Sequence, residues 1–166
     1  MKTLIVVDMQ NDFIDGALGT NEAVAIVDNV RKKIEEYQRN GEEIIFTRDT
    51  HTEDYLNTNE GRNLPVVHCV KGTKGWQIAE GLEVPGCRII DKPTFGYINW
   101  NEFDFEEIEI VGLCTDICVV SNALILKAIF PEIEISVDAA CCAGVTPETH
   151  KAALETMKMC QIKVVE

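Results

Sequence analysis

The sequence of 166 residues predicts an α/β protein, a single three-layer α/β/α domain built on an open, mostly parallel sheet of six strands. Short apolar runs rich in β-branched residues alternate along the chain with segments of helical period, and such runs suit strands buried on both faces. Right-handed crossovers then place helices on both sides of the sheet. The length is typical of one domain, and we predict that it spans residues 1–166.

The first third of the chain predicts a β-α-β unit. We expect strands at residues 2–7 and 43–47. Apolar residues between them recur at three- and four-residue steps: Ala23, Ile26, Val27, Val30, Ile34 and Tyr37. Asn21 is the expected N-cap of this helix, and Gly41 is the expected left-handed residue after its end.

The remaining elements follow a loop that breaks the pattern. Residues 49–75 are polar without a sustained period, and loops of this length are usually functional. Further strands are expected at 87–91, 107–111, 133–137 and 162–165. A helix is expected from about residue 116 to 130, and a last helix begins with Thr146 as N-cap and Pro147 as first residue.

Charge and cysteine content exclude several classes of protein. The chain has 15 basic and 28 acidic residues, a formal charge of -13 that repels phosphate backbones and anionic lipids. We therefore expect neither a nucleic-acid nor a membrane partner. The first apolar run ends at Asp8, too early for a signal peptide. The seven cysteines form no regular framework, which indicates reduced thiols and favours a cytoplasmic protein.

Reactive side chains follow the ends of the predicted strands. Asp8 ends the first strand, Asp49 and His51 end the second, Lys92 ends the third, and Cys118 follows the fourth. Ligands of open α/β sheets bind beyond the carboxyl ends of the strands. We therefore expect these five side chains to lie at one edge of the sheet.

Cys118, Asp8 and Lys92 are the candidates for catalysis. Cys118 lies near the start of a helix, where free backbone N–H groups favour a thiolate nucleophile. Asp8 lies at the rim of the core, where desolvation would raise its pKa and suit a general base. Each has a structural alternative, namely a packing thiol for the cysteine, a turn cap for the aspartate and a solvated surface charge for the lysine.

A second group of side chains predicts a metal site. Asp49 and His51 stand two residues apart and point to one side, and His68 could join them from the loop. Two imidazoles and a carboxylate suit a divalent metal ion, Zn²⁺ first, with Fe²⁺ and Mn²⁺ as alternatives. The alternative is a polar loop whose histidines bind backbone or water. His150 is expected on the last helix, away from this edge, in a structural or solvated role.

Three aromatic residues, Phe13, Phe95 and Tyr97, lie near the expected site. They are either core residues or contacts for a flat substrate. Cys114 and Cys118 form a C-x3-C pair, but no second pair has the spacing of a zinc ribbon. We interpret every cysteine except Cys118 as a packing thiol, with Cys69 and Cys114 as candidates to line the pocket.

Several segments resemble the isochorismatase-like cysteine hydrolases. Residues 6–13, VVDMQNDF, resemble the opening signature of this family. Residues 91–96, DKPTFG, resemble its lysine segment, and residues 112–119, GLCTDICV, resemble its nucleophile segment. The order and spacing match over nearly the whole chain. Residues 47–51 and 68–73 are similar to the metal-binding segments of the nicotinamidases, a branch of this superfamily.

The resemblance implies a Rossmann-like, isochorismatase-like hydrolase fold and an amidohydrolase that cleaves a small, nicotinamide-like carboxamide through a thioester. It implies Asp8, Lys92 and Cys118 as the catalytic triad. It also implies a cis peptide between Leu113 and Cys114, which aims the N–H groups of Cys114 and Cys118 at one oxyanion.

The same resemblance implies Asp49, His51 and His68 as ligands of a divalent metal ion. Many nicotinamidases carry a Trp just before the metal-binding His segment, where residues 63–67 of this chain read NLPVV. Phe13 fits the opposite wall of such a pocket. A homo-oligomer is a further expectation, because relatives often form dimers or tetramers.

Two alternatives to this function stay open. The first is a metal-free isochorismatase-like hydrolase, or a ureide or carbamoyl hydrolase, of the same superfamily. The second is a non-catalytic domain that binds a small molecule. Substrate panels scored for ammonia, carbon dioxide or pyruvate separate the hydrolases, and selective labelling of Cys118 at neutral pH separates enzyme from binding domain.

Overall fold

The computed structural model describes residues 1–166, which form one six-stranded sheet with helices on both faces. The strands are β1 (Lys2–Val7), β2 (Glu43–Asp49), β3 (Arg88–Lys92), β4 (Glu107–Leu113), β5 (Glu134–Ala143) and β6 (Lys163–Val165). The α-helices are α1 (Asn11–Ile14), α2 (Asn21–Arg39), α3 (Asn59–Asn63), α4 (Val120–Ile129) and α5 (Pro147–Met159). Every strand pairing is parallel, so the predicted three-layer α/β architecture is confirmed.

Alternate residues of β1 enter two separate hydrophobic cores. Leu4 and Val6 pack on the face that α2 covers, whereas Ile5 and Val7 pack on the face that α4 and α5 cover. Successive side chains of a strand point to opposite faces, so a continuous apolar run is needed when both faces are buried. This explains why β1 reads as a run of apolar residues rather than an alternation.

The order of the strands locates the site. The sheet runs β3-β2-β1-β4-β5-β6, so the direction of winding reverses between β1 and β4. Ligands bind in the crevice at such a reversal. Gly112 of β4 lies beside Val7 with a φ of +122°, and a Cβ added there would be 2.1 Å from the Val7 carbonyl oxygen. Glycine therefore lets the ends of these two strands approach closely.

The ends of the elements differ in places from the sequence prediction. Thr20, not Asn21, caps α2, because the Thr20 side chain accepts a hydrogen bond from the Ala23 N–H. Gly41 has the expected left-handed backbone, with a φ of +68°. Thr146 caps α5 as predicted, and Pro147 is its first residue. The strand β5 is twice as long as expected, since it reaches the sheet edge at Ala143.

Two local structures were not predicted. The segment Thr115–Val119 forms a π-helical turn before α4, and such turns are frequent at functional sites. The long loop after β2 contains the short helix α3, which Thr58 caps by accepting from the Gly61 N–H. No helix of the protein has the length and apolar character needed to cross a bilayer.

Candidate active site

A buried ion pair lies where β1 and β3 end. Lys92 Nζ donates to Asp8 Oδ2 at 2.7 Å, and neither side chain is exposed to solvent. The Thr47 hydroxyl donates to the other Asp8 oxygen at 2.7 Å, and Lys92 also donates to the Thr94 carbonyl at 3.1 Å. Asp8 itself has a φ of +49°, a backbone region that non-glycine residues rarely adopt. The fold therefore holds this carboxylate in one orientation.

The two charges of this pair alter each other's proton affinity. Burial raises the pKa of Asp8, and the positive charge of Lys92 opposes that rise. Burial acts to lower the pKa of Lys92, but the negative groups around it, Asp8 first, outweigh burial and raise that pKa above its ordinary value. Lys92 therefore stays an ammonium, and Asp8 is a stronger proton acceptor than an exposed aspartate.

Cys118 lies in the π-helical turn and is 4% exposed. Burial raises the pKa of its thiol well above the ordinary value, the nearby Asp8 charge adds to this rise, and Lys92 opposes it. Desolvation and the neighbouring carboxylate thus oppose the thiolate that the helix start favours. A neutral thiol beside Asp8 needs a base to become a nucleophile.

The backbone before Cys118 presents a free donor. The peptide bond between Leu113 and Cys114 is cis, as the resemblance implied. The Cys114 carbonyl accepts from the N–H groups of Ile117 and Val119 at 3.1 and 3.0 Å, which curls the turn around it. The Cys114 N–H, by contrast, donates to no acceptor within the chain. Backbone donors without a partner are rare inside proteins, so this one is available to a ligand.

Four side chains converge beside the ion pair. Ligand atoms of Asp49, His51, Glu60 and His68 all lie within 4.8 Å of one another. His51 Nε2 is 2.9 Å from Asp49 Oδ2 and 3.1 Å from Glu60 Oε2, and His68 Nε2 is 3.4 Å from Asp49 Oδ2. Sequence reasoning missed Glu60. The signal was Thr58, a helix N-cap residue two positions before an acid, within a segment that we interpreted as irregular.

The donor set of this cluster fits a divalent metal ion. His68 Nδ1 is 2.7 Å from the Val66 carbonyl, so the N–H belongs on Nδ1 and the lone pair of Nε2 faces the cluster. Asp49 Oδ1 is buried without a hydrogen-bond partner, although Lys92 Nζ lies 4.0 Å away. Two imidazoles and two carboxylates form a set that Zn²⁺, Fe²⁺ or Mn²⁺ can accept.

A buried glutamine fixes the backbone of Asp49. Gln10 Nε2 donates to the Asp49 carbonyl at 2.9 Å and to the Trp76 carbonyl at 2.8 Å. The Asp49 N–H donates back to Gln10 Oε1 at 2.8 Å. The side chain of Gln10 thus pairs with both polar backbone groups of Asp49, much as a neighbouring strand would.

A cavity of about 230 Å³ connects the thiol with the metal-ligand cluster. The residues with reactive or titratable side chains in its lining are Cys114, Cys118, Asp49, Glu60 and His68. Its apolar walls are formed by Phe13, Leu18, Leu64, Phe95, Ile117 and Val145. Leu64 lies in the segment where many nicotinamidases carry a Trp. The structure places Phe13 and Phe95 on the wall, as expected, but not Tyr97.

Two of the remaining residues lie elsewhere than expected. The ring of Tyr97 packs edge-on against Trp100, with centroids 5.1 Å apart, in the core under α4. Cys69 is fully buried and does not line the cavity. His150 is not remote from the sheet edge, because its Nδ1 is 2.7 Å from the Thr115 hydroxyl. This follows from the length of β5, which brings the start of α5 to the same edge.

Fold and site together define a class: a doubly wound α/β protein with a buried thiol, carboxylate and ammonium at its topological switch point. Sequence comparison identifies the family within that class. The family model described as the isochorismatase domain matches residues 2–166, and the chain belongs to the isochorismatase family.

Several relatives cover the whole chain. The nicotinamidase/pyrazinamidase of Mycobacterium tuberculosis is 26% identical over 99% of this chain and 98% of that protein. The crystal structure of nicotinamidase/pyrazinamidase from Bacillus subtilis has a TM-score of 0.87 at 26% identity and 99% coverage of both chains. Pyrazinamidase of Pyrococcus horikoshii in complex with zinc has a TM-score of 0.84 at 30% identity, covering 99% of this chain and 98% of that one. The predicted nicotinamidase-like branch is confirmed.

Proposed function

We propose that this chain is a cysteine-dependent amidohydrolase that cleaves a small, nicotinamide-like carboxamide to an acid and ammonia. The observation that carries the proposal is the fully buried contact of 2.7 Å between Lys92 and Asp8, next to the Cys118 thiol in the cavity wall. The relatives described as nicotinamidases support an amide C–N bond as the bond that is hydrolysed.

The first half-reaction forms a thioester. Asp8 takes the proton of the Cys118 thiol, and the sulfur attacks the carbonyl carbon of the amide. The free N–H of Cys114, together with that of Cys118, donates to the oxyanion that forms. Asp8 then gives its proton to the departing nitrogen, the C–N bond breaks, and ammonia leaves.

The second half-reaction releases the acid. Asp8 removes a proton from a water molecule, which attacks the thioester carbon, and the C–S bond breaks. The proton held by Asp8 then returns to the Cys118 sulfur. Lys92 keeps Asp8 ionised between these steps, because its charge opposes the rise in pKa that burial causes. One carboxylate therefore serves as base and acid in turn.

The walls of the cavity favour a flat, aromatic substrate. Phe13 and Phe95 offer aromatic surface for a ring. The charged side chains of the wall are the carboxylates of Asp49 and Glu60, the latter beside His68, and no lysine or arginine lines the cavity. A flat aromatic carboxamide matches this aromatic surface.

The metal-ligand cluster would hold one divalent ion through Asp49, His51, Glu60 and His68, and we propose zinc, with iron or manganese as alternatives. Bound there, such an ion supplies Lewis-acid coordination that orients a donor atom of the substrate. Elemental analysis of protein purified without chelator should find about one ion per chain. Protein that contains no metal and loses no activity in His51→Ala would contradict this assignment.

An ammonia-release assay on nicotinamide, pyrazinamide and several aliphatic amides tests the proposed reaction. We expect turnover of the aromatic amides and a loss on the order of 10³-fold or more in Cys118→Ala. Cys87→Ala, a half-buried thiol outside the cavity, is the matched control and should retain activity. Carbon dioxide from a carbamoyl compound, or pyruvate from an isochorismate-like ether, in place of ammonia from amides would overturn the assignment.

A further inference from the structure

The turn that carries the nucleophile is fastened to the start of α5. Thr115 Oγ1 lies 2.7 Å from His150 Nδ1, and the Val145 N–H donates to Asp116 Oδ2 at 2.9 Å. Thr115 is fully buried, and His150 is half-buried in the first turn of the helix. Two hydrogen bonds therefore join residues 145–150 to the turn that carries the nucleophile.

The contact between His150 and Thr115 requires that residue 144 have no side chain. A Cβ added at Gly144 would lie 2.9 Å from the Cβ of His150 and 3.0 Å from Asp116 Oδ2. The glycine thus leaves room for the imidazole to reach the turn. His150 is also the single side-chain partner of the Thr115 hydroxyl, and a buried hydroxyl without a partner is unfavourable.

The protonation state of His150 suits an acceptor. Burial lowers its pKa, and the nearby Asp116 opposes that effect while Lys151 adds to it. In the tautomer that keeps its proton on Nε2, the neutral imidazole accepts at Nδ1 from the Thr115 hydroxyl.

Thr115 lies next to the proposed oxyanion donor and in the same turn as the nucleophile. Thr115 follows Cys114 directly, so a movement of its side chain and backbone also moves the free Cys114 N–H. It is also the first residue of the π-helical turn that contains Cys118. Any group that holds Thr115 therefore holds both the proposed oxyanion donor and the nucleophile.

We propose that His150 is a positioning residue of the active site, which acts through Thr115 to hold the Cys114 N–H and Cys118 in register. The role rests on the proposed amidohydrolase function. It predicts that loss of the hydrogen bond weakens stabilisation of the oxyanion more than binding of the ground-state amide.

The test compares His150→Leu, His150→Asn and Thr115→Val with Lys151→Leu, an exposed neighbour on the same helix. Asparagine places an oxygen near the position of Nδ1 and keeps an acceptor. We expect kcat to fall about tenfold in His150→Leu and Thr115→Val with little change in KM, and to recover in His150→Asn. The double variant should lose no more than either single one.

A second readout does not depend on turnover. The Cys118 sulfur adds to the carbonyl carbon of pyridine-3-carboxaldehyde. The adduct carries an oxyanion but has no leaving group. The affinity of the aldehyde, measured by protection of Cys118 from alkylation, should fall in parallel with kcat. Thermal unfolding of each variant identifies loss of folding.

The outcomes separate the two proposals. If the wild-type protein hydrolyses no amide and does not bind the aldehyde, the proposed function fails. If wild type does both and His150→Leu equals it, the positioning role fails alone. The role is also overturned if His150→Asn is as impaired as His150→Leu, or if the effects of His150→Leu and Thr115→Val add in the double variant.

Discussion

Replacement of Lys92 by Met tests whether the buried ion pair is arranged as described. The substitution keeps an unbranched side chain of similar length but removes the charge that lies 2.7 Å from Asp8 and 4.0 Å from Asp49. Removal of one member of a buried pair leaves the other charge without compensation and typically costs about 3–5 kcal/mol. We expect a loss of this size at pH 7.

The stability of Lys92→Met relative to wild type should depend on pH, and its direction follows from Asp8. Without Lys92, burial and the charge of Asp49 raise the pKa of Asp8 further, so the folded variant holds a proton that the unfolded chain releases above a pKa of about 3.9. Stability relative to wild type should therefore fall as pH rises from about 4 to 7. Each pH unit over which Asp8 keeps its proton in the folded variant but not in the unfolded chain costs about 1.36 kcal/mol, so lowering the pH from 7 to 5 should return part of the loss.

Urea unfolding of chelator-treated protein at pH 5, 6 and 7 measures this effect. Lys2→Met is the matched control, because Lys2 pairs with Glu107 at 3.1 Å while both side chains are about a third or more exposed. Such surface pairs contribute less than about 1 kcal/mol. A loss in Lys92→Met below that value, or one that does not change with pH, would refute the reasoning.

Three further substitutions test other parts of the structure. Gly112→Ala should lose about 2 kcal/mol or more of stability in thermal unfolding, since the new Cβ would lie 2.1 Å from the Val7 oxygen. The control is Gly81→Ala, where φ is +85° but no atom lies near the new Cβ, and it should lose about 1 kcal/mol. Gln10→Leu should lower zinc affinity on the order of tenfold in a chelator competition, because it frees the backbone of a ligand, and an unchanged affinity would contradict its positioning role. Glu60→Gln should weaken zinc binding in the same assay, whereas equal affinity would remove Glu60 from the ligand set.

Local sequence patterns were sufficient for the architecture. Apolar runs such as residues 2–7 can be buried on both faces only in a covered sheet, and the parallel crossovers follow from the helices between them. Thr146 and Pro147 marked the start of α5 because capping depends on a few adjacent residues. Thr20 was missed at α2 because Asn21, next to it, is an equally good cap by residue type.

The convergence of Asp8, Lys92 and Cys118 could also be predicted, since the carboxyl ends of parallel strands meet at one edge whatever the loops do. The proton affinities of these three side chains could not be predicted from the sequence. The raised pKa of the Cys118 thiol results from burial and from Asp8, which is 110 residues away in the chain. Desolvation depends on everything that packs around a group, so only the folded structure sets it.

Contacts between loops were likewise decided by tertiary structure alone. Glu60 reaches the metal-ligand cluster because a short helix turns it inward, and His150 reaches Thr115 because β5 runs further than its apolar core suggested. Tyr97 turns away because Trp100 offers it a partner in the core. Residue type and spacing determine which groups can end a strand or start a helix, whereas side-chain neighbours across the chain depend on how the finished elements pack.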